Sequence, residues 1–313
     1  MRPRVFISGA SGFIGRACCA RLVQSGFGVR AGLRKYCQLA EGVEPAIVGD
    51  LSGATQFSDA LRGVDVIVHL ASRVHMLRDT ARDKLQAFRL VNVEGTLTLA
   101  RQAALAGVKR FVFISSIGVN GTQTFASPFG PDDAPRPNSP YARSKFEAET
   151  GLRKIADQSS LEVVIIRPPL VYGPGAPGNF GVLIRLLQRG WPLPFGSVRN
   201  KRSYVFLDNL VDLIATCVVH SQAANETFLV SDGDDLSTPE LMLRLGRFMD
   251  RPAKLVPVPP VLLRSGARIL GRPEIYSRLC GSLQVDISKT ISLLQWTPPI
   301  SVNEGLRRAS RRL

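Results

Sequence analysis

The sequence predicts an α/β protein, a Rossmann-type doubly wound parallel sheet with a smaller C-terminal α/β lobe. Three observations predict it. Short Val/Ile/Phe-rich runs alternate with helix-length amphipathic segments from the first residues onward, the rhythm of parallel strands joined by crossover helices. Most of these runs do not alternate apolar with polar, as strands buried on both faces must not. A glycine-rich turn, Gly9-Ala10-Ser11-Gly12-Phe13-Ile14-Gly15, separates the first apolar run from the first helical segment.

Taken in order, Arg4–Ser8 reads as the first strand and residues 12–26 as the first helix. Gly28–Leu33 is the second strand and 46–48 the third, followed by a short helix over 55–61 with Ser52 as its cap. A fourth strand falls at 64–70 and a helix at 86–106. Strands at 110–115 and 163–167 bracket a helix over 139–158 whose N-cap is Ser139. After Arg167 the texture changes, because Pro168, Pro169, Pro174, Pro177, Pro192 and Pro194 interrupt the rhythm. A last strand–helix pair near 204–220 and 227–231 is expected to return to the sheet. The division that follows is a dinucleotide domain of 1–173 plus 202–232, and a substrate lobe of 174–201 plus 233–313.

The chain of 313 residues is 45% hydrophobic and 21% charged, which excludes a disordered or coiled-coil protein. It is long enough to bury a core without disulfide or metal staples. Its net charge of +15 is spread evenly: 21 basic and 14 acidic side chains in 1–165, 19 and 11 in 166–313. The one compact basic run is Arg307, Arg308, Arg311 and Arg312. That distribution argues against nucleic acid or a membrane surface as the main partner and suits a small ligand with several phosphates. The cysteines, five in all, have no zinc-ligand spacing and read as reduced core thiols. His69 and His75 lack the neighbours of a metal site, so no metal is expected. No apolar window reaches the roughly 18 residues of a spanning helix, and the N-terminal apolar run is too short for a signal peptide. A cytoplasmic protein with no integral membrane segment is the expectation.

Glycine is required three times in a dinucleotide-binding turn: for the turn itself, for close approach of the pyrophosphate, and for helix–strand packing. Gly9, Gly12 and Gly15 stand at those places, with Ser11, Phe13 and Ile14 offering backbone at the opening of the helix, where free N–H groups and the helix dipole favour phosphate. NAD-specific sites carry an acid at the end of the second strand, whereas this chain reads Leu33-Arg34-Lys35 there. A guanidinium pairs with a 2′-phosphate, so NADPH/NADP+ is favoured, with NAD+ as the alternative. Asp50 and Leu51 are placed to meet the adenine edge, and Leu70, Ala71 and Ser72 to lie close to the cofactor.

Ser115-Ser116 closes a strand, and Tyr141-Ala142-Arg143-Ser144-Lys145 opens a helix. Residues four apart share a helical face. A free tyrosine titrates near pH ~10, too high for proton transfer at neutrality, and an adjacent ammonium is expected to lower it. A strand-end hydroxyl would hold the substrate oxygen.

The ordered set Gly9…Gly12…Gly15, Asp50, His69-Leu70-Ala71, Asn92, Ser116, Tyr141…Lys145 and Arg167-Pro168-Pro169…Tyr172-Gly173 resembles the extended short-chain dehydrogenase/reductases, in their nucleotide-sugar epimerase/reductase branch, nearly end to end. The resemblance implies Ser116, Tyr141 and Lys145 as the catalytic set, and Asn92 beside the cofactor. It implies Asn179 and Arg202, with Arg278 as a weaker candidate, on the diphosphate of a UDP-sugar. The segment from Val285 to Pro298 resembles the family's closing stretch. Dimers through the Tyr141 helix are common in such relatives, so a homodimer is expected, and the loop 73–84 is expected to touch substrate. Ile117-Gly118 stands where dehydratases carry an acidic pair, and Leu170 where many epimerases carry Asn. The runs 167–175, 228–233 and 281–286 look most like the UDP-N-acetylquinovosamine 4-reductases. The expected activity is therefore NADPH-dependent reduction of the C4 keto group of a UDP-linked 4-keto-6-deoxy-hexosamine, in bacterial polysaccharide precursor synthesis. The alternative is an NAD-dependent UDP-hexose 4-epimerase. A non-catalytic dinucleotide sensor would be expected to have lost Tyr141 or Lys145.

Overall fold

Strand β1 (Arg4–Ser8) is buried from Val5 onward and feeds α1 (Phe13–Gln24), β2 (Gly28–Leu33) and β3 (Val43–Ile47). The structure is a computed structural model that describes residues 2–74 and 83–310. After β4 (Val66–His69) come α2 (Lys84–Arg89), a π-helical turn over Leu90–Gly95, and α3 (Thr96–Leu105), which continue one another without a break. Then follow β5 (Arg110–Ile114), α4 (Pro140–Asp157), β6 (Glu162–Arg167), β7 (Leu170–Tyr172), α5 (Asn179–Gln188), β8 (Tyr204–Phe206), α6 (Leu207–Val219) and β9 (Thr227–Leu229). The chain closes with α7 (Thr238–Phe248), α8 (Pro260–Ile269), α9 (Pro273–Cys280), α10 (Ser288–Leu294) and α11 (Val302–Ser310).

Seven strands pair in parallel in the order β3-β2-β1-β4-β5-β6-β9. The order reverses between β1 and β4, and in such sheets the crevice at the strands' C-terminal ends is the ligand site. One face of the sheet is covered by α1 and α6, through Cys18, Leu22, Leu210 and Ile214. The other face is covered by α3 and α4, through Leu99, Ala103, Ala148 and Leu152. A third core gathers Tyr172, Phe180 and Ile184 with Leu241, Leu245 and Leu306. The helix expected at 139–158 is present with Ser139 as its cap, accepting from Ala142 N at 3.1 Å, and Pro140 in its first turn.

Three local expectations are corrected. Residues 55–61 form turns rather than a helix: the Gln102 side chain donates to Thr55 O at 2.8 Å and accepts from Phe57 N at 2.7 Å, and the Arg30 guanidinium, buried in β2, donates to Ala60 O and Arg62 O at 2.9 Å each. Ser52 accordingly closes a turn with Thr55 and caps no helix. The third strand begins three residues earlier than 46. The segment near 204 does not rejoin the main sheet, since β8 pairs with β7 in a separate two-stranded parallel sheet. Pro168 and Pro169 have no N–H to continue β6, so the chain leaves the sheet there and only β9 returns to it.

All five cysteines are unbridged. Among the described residues no group of three His, Cys, Asp or Glu could hold a metal, and no helix is long and apolar enough to cross a membrane. Arg307 and Arg308 pair with Glu304, while Arg311 and Arg312 lie outside the described residues. His75 and residues 76–82 of the expected substrate loop lie outside them as well.

His69 is a core histidine. Its ring is fully buried, held between Ser8 Oγ at 2.5 Å and Thr96 Oγ1 at 2.8 Å and stacked on Phe113. Burial, with the Lys145 charge adding to it, pulls its pKa from 6.5 to about 3. Between those values the unfolded chain binds a proton that the folded chain refuses, so stability falls as pH drops from 6.5 toward 3. In equilibrium unfolding followed across that window, His69→Gln is expected to lose stability less steeply than the parent; equal slopes would refute it.

Candidate active site

The first components lie where β1 and β4 diverge. Gly9 has φ +71, a conformation L side chains rarely adopt, and a Cβ on it would lie 2.6 Å from Ala71 N. A Cβ on Gly15 would overlap Gly9 O and come within 2.7 Å of Ala10 Cα. Gly12 N donates to Gly9 O at 3.0 Å, and no side chain caps α1. The result is a cradle of bare backbone at an uncapped helix N-terminus, the geometry that accepts a pyrophosphate. The residues present therefore fit a dinucleotide. Ser11 and Gly12 are exposed, Ile14 packs inward, and Phe13 lies against Gly173.

Arg34 and Lys35 are exposed just past β2, and Arg34 Nη1 lies 3.9 Å from Asp50 Oδ1, both side chains being over four-fifths exposed. Such a pair contributes little to stability and leaves both groups available. Leu51 packs beneath Gly95, whose missing Cβ leaves room for it. Leu70 and Ala71 stand against the Gly9 turn, with Leu70 N donating to Ser8 O.

Asn92 serves as a hub. Carried in the π-helical turn and 1% exposed, its Oδ1 accepts from Arg73 N at 2.7 Å and Ser72 Oγ at 3.1 Å. Its Nδ2 donates to Arg73 O at 3.1 Å and Ser144 Oγ at 3.0 Å. With its side-chain atoms so engaged, Asn92 locks the segment after β4 onto α4, and π-turns of this kind are frequent at functional sites. Phe88, in α2, lays its ring edge-on to Tyr141 at 6.0 Å, with the Arg73 guanidinium over it at 5.9 Å. Sequence reasoning passed over Phe88, which belongs to no motif, and placed Arg73 only at the start of the loop expected to touch substrate.

Tyr141 and Lys145 both project from α4, but to different partners. Lys145 is 2% exposed, donates from Nζ to Ile114 O at 2.9 Å, and stands 4.6 Å over the Phe113 ring. Burial lowers its pKa to about 7, opposed by Glu149. Tyr141 hydrogen-bonds with Ser72, and burial raises its phenol to about 12. The expectation that Lys145 holds the phenol below its ordinary value is thus corrected: burial holds it above. A lysine that is itself desolvated and only partly charged near neutrality does not supply the positive field a phenolate needs. Ser116, half-buried at the end of β5, accepts from Gly118 N at 3.1 Å, whereas Ser115 is 4% exposed and its Oγ has no partner.

Beneath α4, Arg167 Nη2 and Nε grip Glu149 at 2.6 and 3.0 Å, and Arg167 Nη1 reaches Asn120 Oδ1 at 3.0 Å. The signal was in the sequence, since Glu149 continues the four-residue spacing of Tyr141 and Lys145. A cavity of about 480 Å³ lies in the loop from Asn120 to Asn138, between Ser116 and Tyr141 in the chain, although neither lines it. Of the three residues expected on a diphosphate, Asn179 opens α5 and is exposed, as is Arg278 on α9. Arg202 is mostly buried, donates to Gly281 O at 2.7 Å, and has its pKa lowered by desolvation.

Known proteins share this architecture. The chain is 43% identical over 314 residues to the UDP-glucose 4-epimerase of Vibrio cholerae, covering 99% of this chain and 95% of that protein. The structure of UDP-glucuronic acid 4-epimerase from Bacillus cereus in complex with NAD superposes with a TM-score of 0.80 at 21% identity, covering 99% of this chain and 96% of that one. That of MoeE5 in complex with UDP-glucose and NAD gives 0.79 at 24% identity, covering 99% and 98%. The sequence pattern of the NAD dependent epimerase/dehydratase family matches residues 5–231. With the glycine cradle at the switch point and Tyr141 and Lys145 on one helix beside it, the chain belongs to the NAD dependent epimerase/dehydratase family, among the extended short-chain dehydrogenase/reductases.

Proposed function

We propose that the protein is a UDP-hexose 4-epimerase using NAD, which reverses the order of the two activities expected from the sequence. The observation that carries this reading is the full-length 43% identity to a UDP-glucose 4-epimerase. Against that breadth, Leu170 in place of Asn is one departure at one position. Gly9 and the residues Ser11 to Gly15 would seat the pyrophosphate, with Leu70 to Ser72 beside it. Epimerisation needs the O4 proton taken and returned, and the C4 hydrogen removed from one face and restored to the other. A bound nicotinamide supplies the hydride acceptor and donor. Tyr141 holds and moves the O4 proton, Lys145 stands one turn away on the same helical face, and Ser116 orients O4. Asn179 and Arg278, from a lobe of 174–201 and 233–313, would hold the UDP diphosphate together with Arg202.

One observation favours the second reading, NADPH-dependent 4-ketoreduction: β2 ends without an acid and is followed by exposed Arg34 and Lys35. The test is direct. Purified protein is given UDP-glucose, and separately UDP-N-acetylglucosamine, without added NADPH, and the products are resolved by chromatography. Conversion to the C4 epimer with no lasting change at the nicotinamide band is expected. Absence of conversion, with stoichiometric NADPH oxidation on a UDP-4-keto-6-deoxy-hexosamine, would replace epimerase by reductase. Arg34→Ala separates the coenzymes further: under the epimerase reading NAD+ binding changes less than about threefold, consistent with an exposed side chain. A loss of tenfold or more confined to NADPH would mark the reductase.

A further inference from the structure

We infer that the α8–α9 hairpin is a membrane-interface element that docks the protein onto an anionic phospholipid surface. Neither helix contains a fully buried residue, so the hairpin rests lightly on the rest of the molecule. Its outer side exposes large apolar groups that a packed helix would bury: Val261 is 72% exposed, Leu262 61%, Ile269 86% and Leu270 78%. Leu262 and Ile269, seven residues apart, lie on one helical face. Between α8 and α9 runs an almost wholly apolar groove of about 290 Å³, which Leu262 and Leu270 also line.

Charge names the occupant. From 251 to 281 the chain carries six basic side chains and a single acidic one, Glu274. Arg264, Arg268 and Arg272 have no ion-pair partner among the described residues, although elsewhere Arg21, Arg89, Arg110, Arg167 and Arg307 are paired. In α8, Arg264 and Arg268 stand one turn apart on the side of the helix away from the Leu262–Ile269 face, the polar side of an amphipathic helix. Exposed aliphatic groups beside unpaired arginines on a short helix are what lies flat at an anionic bilayer, the apolar side entering the headgroup boundary and the cations meeting lipid phosphates. A second copy of this chain would set three unpaired arginines against three more. Nucleic acid would answer the charge but give Val261, Leu262 and Ile269 no apolar phase to enter. The surface is distinct from the dinucleotide cradle, and docking leaves the proposed chemistry unchanged. It does bear on Arg202, which holds the carbonyl of Gly281, the residue that ends α9.

The test is co-flotation of the full chain with vesicles of phosphatidylcholine alone and of phosphatidylcholine with phosphatidylglycerol. Binding is expected to the anionic vesicles only and to weaken as salt is raised. Arg264→Gln/Arg268→Gln/Arg272→Gln should lower partitioning by about a hundredfold, at about tenfold or less per cation. Leu262→Asn/Ile269→Asn should lower it by about tenfold or more. Melting temperature and turnover of both variants are expected to match the parent, which separates loss of docking from loss of fold. No flotation with anionic vesicles, equal flotation with both compositions, or variants that float like the parent would each overturn the inference. A concentration-dependent dimer that Leu262→Asn/Ile269→Asn abolishes, with no flotation, would assign the face to a second copy instead.

Discussion

Tyr141→Phe is expected to lower kcat by about a thousandfold, within the range general acid–base groups contribute, while NAD binding and melting temperature stay near those of the parent. The substitution removes one atom. The ring keeps its edge contact with Phe88 at 6.0 Å, and Asn92 still ties Ser72 to Ser144 without the phenol. What is lost is the phenolic proton, which Lys145, donating to Ile114 O, does not replace. The phenol sits at about 12 and the amine at about 7, both displaced by burial toward their neutral forms. A neutral pair stores a proton without a charge cost, and any positive charge arriving nearby favours the phenolate. Turnover of Tyr141→Phe with UDP-glucose, set beside a fluorescence titration with NAD+, measures both halves. Activity within tenfold of the parent would take Tyr141 out of the chemistry, and parallel loss of NAD+ binding would make it a binding residue instead.

Why the cradle and the Tyr–Lys pair were legible from sequence, and their surroundings were not, follows from where each constraint acts. At Gly9 and Gly15 the constraint is local sterics, which a glycine spacing records directly: positive φ at one, no room for a Cβ at the other. Tyr141 and Lys145 share a helical face by spacing alone. Their titration is a tertiary property set by Phe113, Ile114 and Ser72, from other elements, so the sequence pointed to an acidified phenol where burial produces the reverse. The Asn92 hub joins residues 20 and 52 positions away, separations no local pattern encodes. The turns at 55–61 are held from outside in the same way, by Gln102 and Arg30. The functional reading leaned on single positions, Arg34 and Leu170. Exposed Arg34 near Asp50 is compatible with either coenzyme, whereas similarity over the whole length weighs every position together.

The buried pair beneath α4 carries the largest expected effect on stability. Glu149 and Arg167 side chains are 2% and 5% exposed, bonded at 2.6 and 3.0 Å, and Arg167 also donates to Asn120 Oδ1 and Pro131 O. Removing one partner of a buried pair strands a desolvated charge, at a cost of about 3–5 kcal/mol. Arg167→Met is therefore expected to lower the melting temperature by roughly 10 °C, at about 2–4 °C per kcal/mol for a chain of this size. Arg167→Met/Glu149→Leu leaves no stranded carboxylate and should regain most of that loss, because coupled buried charges are far from additive. Turnover should not return with stability. Glu149 stands one turn past Lys145 on α4, and Asn120 four residues past Ser116, so Arg167 tethers the lysine's helix to the segment leaving the strand-end serine. An apolar pair fills the space but lets that segment go, so the double variant is expected to melt near the parent with kcat reduced about tenfold or more, positioning errors of this kind being costly. A double variant with parental turnover would make the pair purely structural, and a single variant melting within about 2 °C of the parent would mean that water or another cation reaches Glu149.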